Sequence, residues 1–153
     1  MYIIYCDGAS RSNPGEASYG VSINLNNKEI DTLKEYIGIA TNNVAEYRGL
    51  IAALEYCVKN NINDVEIYLD SLLVVQQVNK EFKVKSKKLG DLYSYSLTLI
   101  GKRVWRVRAS FLPGQGVMVA EKLKTIAMHE IDLTQGAVLE KGCGNSVRFV
   151  TPS

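Results

Sequence analysis

Histidine is nearly absent from this chain: His129 is the single one among 153 residues. A zinc site or a serine-type triad therefore has little material to work with. Cysteine is scarce as well. Cys6, Cys57 and Cys143 are far apart and odd in number, so they form no disulfide framework and fit a reducing, cytoplasmic compartment. No apolar run approaches the length of a membrane span, and Met1 leads straight into strand-like sequence rather than a signal peptide, so no membrane partner is expected. Repeats and low-complexity segments are lacking too. Hydrophobic residues at 46% and charged residues at 22% are ordinary globular values, and 153 residues suffice for one domain with a real core but not for two.

What the chain does have is a set of acids in telling places. Asp7 ends the apolar run Tyr2-Ile3-Ile4-Tyr5-Cys6, and Asp70 ends a second one, Val65-Glu66-Ile67-Tyr68-Leu69. Glu46 falls in the opening turns of a helical pattern, after Thr41-Asn42-Asn43-Val44-Ala45, and Glu121 lies near the start of a later helix, eight residues past Pro113. Taken singly, Glu46 is also a favourable charge at a helix N-terminus, and Asp7 or Asp70 an ordinary turn or cap residue. As a set, carboxylates at the ends of buried strands are costly unless something cationic compensates them. Asp7, Glu46, Asp70 and Glu121 are the right groups for two magnesium ions about 4 Å apart, the arrangement that clamps a phosphodiester between an activated water and a leaving oxygen.

The pattern of elements predicts how these acids meet. A buried strand over 1–6 is followed by a Gly-, Ser-, Asn- and Pro-rich loop over 8–16, and then by two antiparallel strands, 17–25 and about 28–37, joined at Asn26-Asn27. Thr41 or Asn42 caps a helix over 43–60. A strand over 64–69, a short helix over 71–79, a helix over 87–101, a half-exposed strand over 104–108 and a helix over about 117–132 complete the order. The long connection between the first and fourth strands lets them lie side by side and parallel, which puts Asp7 and Asp70 at one edge of the sheet. The expected division is a catalytic domain over 1–132 and a tail over 133–153, either a small hairpin or disordered.

Charge is distributed unevenly. Residues 80–108 hold nine Lys or Arg against Glu81 and Asp91, a balance of +7, so with a net charge of +2 the remaining residues carry −5. A basic segment beside an acidic cluster suits a protein that holds a polyanion while metal ions neutralise its acids; the plainer account is a solvated charged helix. Phosphate contacts are expected from Lys83, Lys85, Lys87 and Lys88. Trp105 reads as a sheet residue packed on a helix rather than a base-stacking platform.

YCDGASRSNPG with Asp7, TNNVAEYRGLIAALE with Glu46 and VEIYLDSLLVVQQVN with Asp70 together resemble the type 1 ribonuclease H family over about residues 1–132. EFKVKSKKL, at 81–89, is similar to the branch of that family that lacks a long basic protrusion. The resemblance implies an α/β ribonuclease H-like fold. Its five-stranded mixed sheet has strands 1–3 antiparallel and strands 4 and 5 parallel to strand 1, flanked by helices. It also implies cleavage of the RNA strand of RNA–DNA hybrids with magnesium or manganese, leaving 5′-phosphate and 3′-hydroxyl ends, by a monomer.

Carried over, Asp7 resembles the acid that bridges both ions. Glu46 and Asp70 resemble the pair that holds the ion on the leaving-group side, and Glu121 the acid that with Asp7 holds the ion on the water side. Asn13, Asn42 and Asn43 resemble hybrid-contacting positions, their amides suited to 2′-hydroxyls and base edges. Thr41 resembles a residue that holds a DNA-strand phosphate. The fourth motif departs from the family pattern Pro-x-x-x-Asn-x-x-Ala-Asp: here Pro113 is followed by Gly-Gln-Gly-Val-Met-Val-Ala120-Glu121, an acid one methylene longer. A hybrid-binding protein with weakened catalysis, and an integrase-like or exonuclease relative, are the competing readings.

Overall fold

The computed structural model describes residues 1–80, 83–110 and 115–141, with 115–117 and 134–141 as backbone only. The elements are β1 (Tyr2–Ser10), β2 (Gly15–Leu25), β3 (Lys28–Ala40), α1 (Asn42–Lys59), β4 (Val65–Leu69), α2 (Leu72–Val78), α3 (Lys87–Ile100), β5 (Arg106–Ala109) and α4 (Gln115–Lys141). The sheet runs in the order β3-β2-β1-β4-β5. β1, β2 and β3 pair antiparallel, and β4 and β5 lie parallel to β1, as the resemblance implies.

Side-chain alternation along β2 separates the two faces. Tyr19, Val21 and Ile23 join Ile4, Cys6, Ile67 and Leu69 in the main core beneath α1, α2 and α3. The intervening Ser18 and Gly20 meet α4, which packs across β1, β2 and β3. Leu50, Leu54 and Cys57 give α1 a fully buried stripe. Its N-cap is Thr41, whose hydroxyl accepts from the Val44 N–H at 3.3 Å. Asn26 and Asn27, at φ 52 and 67, form the tight turn expected between β2 and β3. Trp105 is buried, its indole N–H donating to the Ile62 carbonyl at 3.1 Å, which is a packing role.

Several boundaries differ from the sequence expectation, β3 running on to Ala40 and α4 starting at Gln115. The glycine-rich loop is shorter than 8–16, because Gly8, Ala9 and Ser10 continue the antiparallel ladder opposite Tyr19, Ser18 and Ala17. β5 starts at Arg106 rather than 104, since pairing with β4 begins at Glu66 and Val104 stands out in solvent. α4 continues past 132 to Lys141. Nothing in Leu133-Thr134-Gln135-Gly136-Ala137-Val138-Leu139-Glu140-Lys141 forces a stop, a lone glycine costing a helix only about 1 kcal/mol. Of the expected tail, 142–153, including Cys143, lies outside the described residues.

Candidate active site

Register alone brings two of the acids together. β1 and β4 pair from Tyr2 with Val65 to Cys6 with Leu69, so Asp7 and Asp70 follow the last matched pair on neighbouring strands. Two glycines then admit the helices. A Cβ on Gly8 would lie 2.4 Å from the Ala45 carbonyl oxygen and 2.9 Å from the Glu46 nitrogen, so only glycine lets the first turns of α1 rest on β1. A Cβ on Gly20, which pairs with Asp7, would lie 2.3 Å from the Ala120 carbonyl oxygen and 2.7 Å from the Lys124 nitrogen. The residues flanking each close approach are the functional ones: Glu46 on one side, Glu121 and Lys124 on the other.

Gly8→Ala should therefore destabilise the protein by about 1–3 kcal/mol through overpacking. Gly90→Ala, with open space around its Cβ within α3, should stabilise it by roughly 0.5–1 kcal/mol. Urea midpoints of the two variants check the contrast.

Asp7, Glu46, Asp70 and Glu121 all line one open cleft of about 350 Å³, together with Asn42, Asn43, Ser71 and Lys124. Asp7 and Glu46 are buried, whereas Asp70 and Glu121 are exposed at the mouth. Glu46 Oε1 accepts from the Gly8 N–H at 2.9 Å, while Oε2 is buried with no partner. Burial pushes the Glu46 carboxyl up to about 8; the Gly8 N–H opposes this, and the charges of Asp7 and Asp70 add to it. Asp7 is raised for the same reason, against the pull of Lys124, whose ammonium lies 2.9 Å from Asp7 Oδ2.

Of the remaining candidates, only some reach this cleft. Asn42 and Asn43 line it. Asn42 Oδ1 accepts from the Ser10 N–H (2.8 Å) and hydroxyl (3.0 Å), and Asn13 Oδ1 accepts from the Asn42 N–H at 3.0 Å, which ties the β1–β2 loop to the start of α1. Lys83, Lys85, Lys87 and Lys88 are exposed at the entry to α3, do not line the cleft, and make no ion pair among the described residues. Arg106 and Arg108, by contrast, are engaged with Glu66. Pro113 lies outside the described residues.

Sequence reasoning overlooked Lys124, Gly8 and Gly20. Lys124 had a signal, since it stands three residues after Glu121 and so shares its helix face.

The donor set suits a hard divalent ion. It is all oxygen, it includes an orphaned buried carboxylate oxygen, and an ammonium already serves as a cation against Asp7. Among the described residues no three His, Cys, Asp or Glu side chains are grouped to hold a single ion as they stand. Asp7 is turned to Lys124 and Glu46 to Gly8, so cation capture requires side-chain rotation within the cleft.

Comparison with known proteins sets this geometry in a family. A bifunctional protein of Mycobacterium tuberculosis is 38% identical over 128 residues, covering 82% of this chain and 35% of that protein. The chain thus spans about a third of the length of the curated relatives it matches first. The solved N-terminal RNase H domain of that mycobacterial protein is 37% identical with a TM-score of 0.75, covering 83% of this chain and 98% of the other. LC11-RNase H1, solved in complex with RNA/DNA hybrid, is 32% identical with the same TM-score, covering 85% and 98%.

A family model described as the 2'-deoxycytidine 5'-triphosphate deaminase (DCD) N-terminal domain matches residues 66–150. That stretch begins inside β4 and omits β1, β2, β3 and α1, and with them Asp7 and Glu46. It is not separable here, because β4 is hydrogen-bonded to β1 along its whole length. The likeness that spans the entire sheet and the cleft decides the matter: the chain belongs to the type 1 ribonuclease H family.

Proposed function

We propose that this chain is a divalent-metal-dependent endoribonuclease that hydrolyses the RNA strand of RNA–DNA hybrids, leaving 5′-phosphate and 3′-hydroxyl ends. The observation that carries the reading is the convergence of Asp7, Glu46, Asp70 and Glu121 on one cleft, with a buried Glu46 oxygen that no protein group satisfies. Two bound ions, Mg²⁺ or Mn²⁺, would supply water activation and leaving-group stabilisation. The protein's part is to hold them: Asp7 between both, Glu46 and Asp70 toward the leaving group, Glu121 with Asp7 toward the water. Asn42 and Asn43 would contact the hybrid from the cleft wall. Asn13 would hold the loop that orients Asn42, and Thr41 would cap α1 and take a phosphate. Residues 1–132 would form the catalytic unit, and a monomer in the cytoplasm would suffice. Among the described residues no helix is long and apolar enough to cross a membrane.

Labelled hybrid, duplex RNA and duplex DNA, each incubated with the protein in Mg²⁺ or Mn²⁺, test the reading. Cut RNA from the hybrid alone is expected; intact hybrid under both metals would refute it. The longer acid at Glu121, where the family pattern has Asp, supports a second reading, hybrid binding with weakened catalysis. Glu121→Asp separates the two. A site built around the longer acid loses rate, by roughly 100-fold for a ligand displaced by about 1 Å, whereas a handicapped site gains.

Lys83, Lys85, Lys87 and Lys88 would meet the phosphate backbone. Changing all four to Ala should weaken hybrid binding and flatten the salt dependence of log K by about 0.9 per lost contact. A titration of affinity against salt reads this, and an unchanged slope would place the segment away from the hybrid.

A further inference from the structure

Lys124 is the single cation among the described residues lining the carboxylate cleft. Its place is fixed by the backbone. The Ser18 hydroxyl, on a fully buried residue of β2, donates to the Lys124 carbonyl at 2.9 Å, and Gly20 lets the same turn of α4 lie against the sheet. From there the side chain reaches Asp7 Oδ2 at 2.9 Å, on a carboxylate that is itself buried. Glu121, one helical turn earlier, lines the same cleft, and its charge acts on Asp7. Lys124 thus stands where a cation bound by Asp7 would stand, whereas Glu46 feels its charge only at a distance and, among the described residues, makes no ion pair and keeps one buried oxygen without a partner. Lys124 also lines a second cavity with Ser10, Arg11, Ser18, Thr125 and Met128, which gives a displaced side chain room to move; Arg11 there is already paired with Glu16 and Asp132.

We propose that Lys124 is a built-in cation of this site: its ammonium occupies Asp7, so the protein takes up one divalent ion tightly beside Glu46 and Asp70 and a second, shared by Asp7 and Glu121, only by displacing the lysine. Lys124 is then a positioning residue that sets the order of ion entry. It keeps the buried Asp7 carboxylate neutralised and aimed before the second ion arrives. The inference rests on the metal-dependent reading above, and the test separates the two.

Metal-free full-length protein is titrated with Mn²⁺, the free ion being followed by its electron paramagnetic resonance, for the wild type, Lys124→Met and Lys124→Arg. The wild type should bind one ion at least about tenfold more tightly than the second. Lys124→Met keeps the stem and removes the charge, so the second ion should tighten by about tenfold more than the first. Lys124→Arg, which keeps the charge, should leave the second ion weak. Two equivalent ions in the wild type would overturn the proposal without recourse to any variant. Equal tightening of both ions in Lys124→Met, the mark of a general loss of positive charge, would overturn it as well. So would a second ion in Lys124→Arg as tight as in Lys124→Met. Absence of Mn²⁺ binding in all three would overturn the metal reading itself.

Discussion

Glu46→Gln should lower hybrid cleavage by at least about 100-fold while making the metal-free protein more stable at pH 8. The loss follows from removing a direct ion ligand, which should cost at least as much as the upper end of the 10–100-fold seen for outer-shell partners. The gain follows from burial. Glu46 is enclosed, one oxygen has no partner, and its carboxyl is pushed up to about 8. A neutral amide keeps an acceptor for the Gly8 N–H and removes a buried negative charge beside Asp7 and Asp70. Cleavage assays and urea unfolding on the same preparation read both effects. Undiminished cleavage would remove Glu46 from the ion site.

The metal-free wild-type protein should lose stability as pH rises from about 4.5 to about 8. The folded-state value of Glu46 lies above its ordinary 4.5, so the folded protein holds a proton that the unfolded chain has released across that window. Stability is therefore fully present below 4.5 and is lost as pH climbs through the folded value. A shift of this size corresponds to on the order of 4 kcal/mol at pH 8, a large part of a small domain's total. Asp7, also raised, contributes with the same sign. Saturating Mg²⁺ should recover much of the loss, because an ion that binds only the folded state stabilises it by mass action and makes the ionised carboxylates useful. In Glu46→Gln most of the slope should vanish. A flat profile for the metal-free wild type would mean that Glu46 is solvated.

These effects trace back to features of unequal visibility in the sequence. The meeting of Asp7 and Asp70 was legible because both end apolar runs, and the long connection between those runs, with its helix, allows parallel pairing. The start of α1 was legible from Thr41 and its hydroxyl, and the β2–β3 turn from Asn26 and Asn27. Gly8 and Gly20 were not, since a glycine's meaning as a contact point exists only once a helix lies on it. The missing partner of Glu46 Oε2 depends on side-chain packing that no periodicity encodes. Lys124 was hidden for a related reason: a lysine on an amphipathic helix usually faces solvent, and only the close seat of α4 over Gly20 turns it onto Asp7. The length of α4 was underestimated because the chain past 132 carries no strong breaker, so its end was not marked.

The gathering of ions by these acids is tested most directly by anomalous diffraction from a manganese-soaked crystal. The account predicts manganese in the cleft, contacted by Asp7, Glu46 and Asp70, with Glu121 reaching any second ion. A cleft free of manganese, or an ion held elsewhere with Glu46 still turned to Gly8, would contradict it.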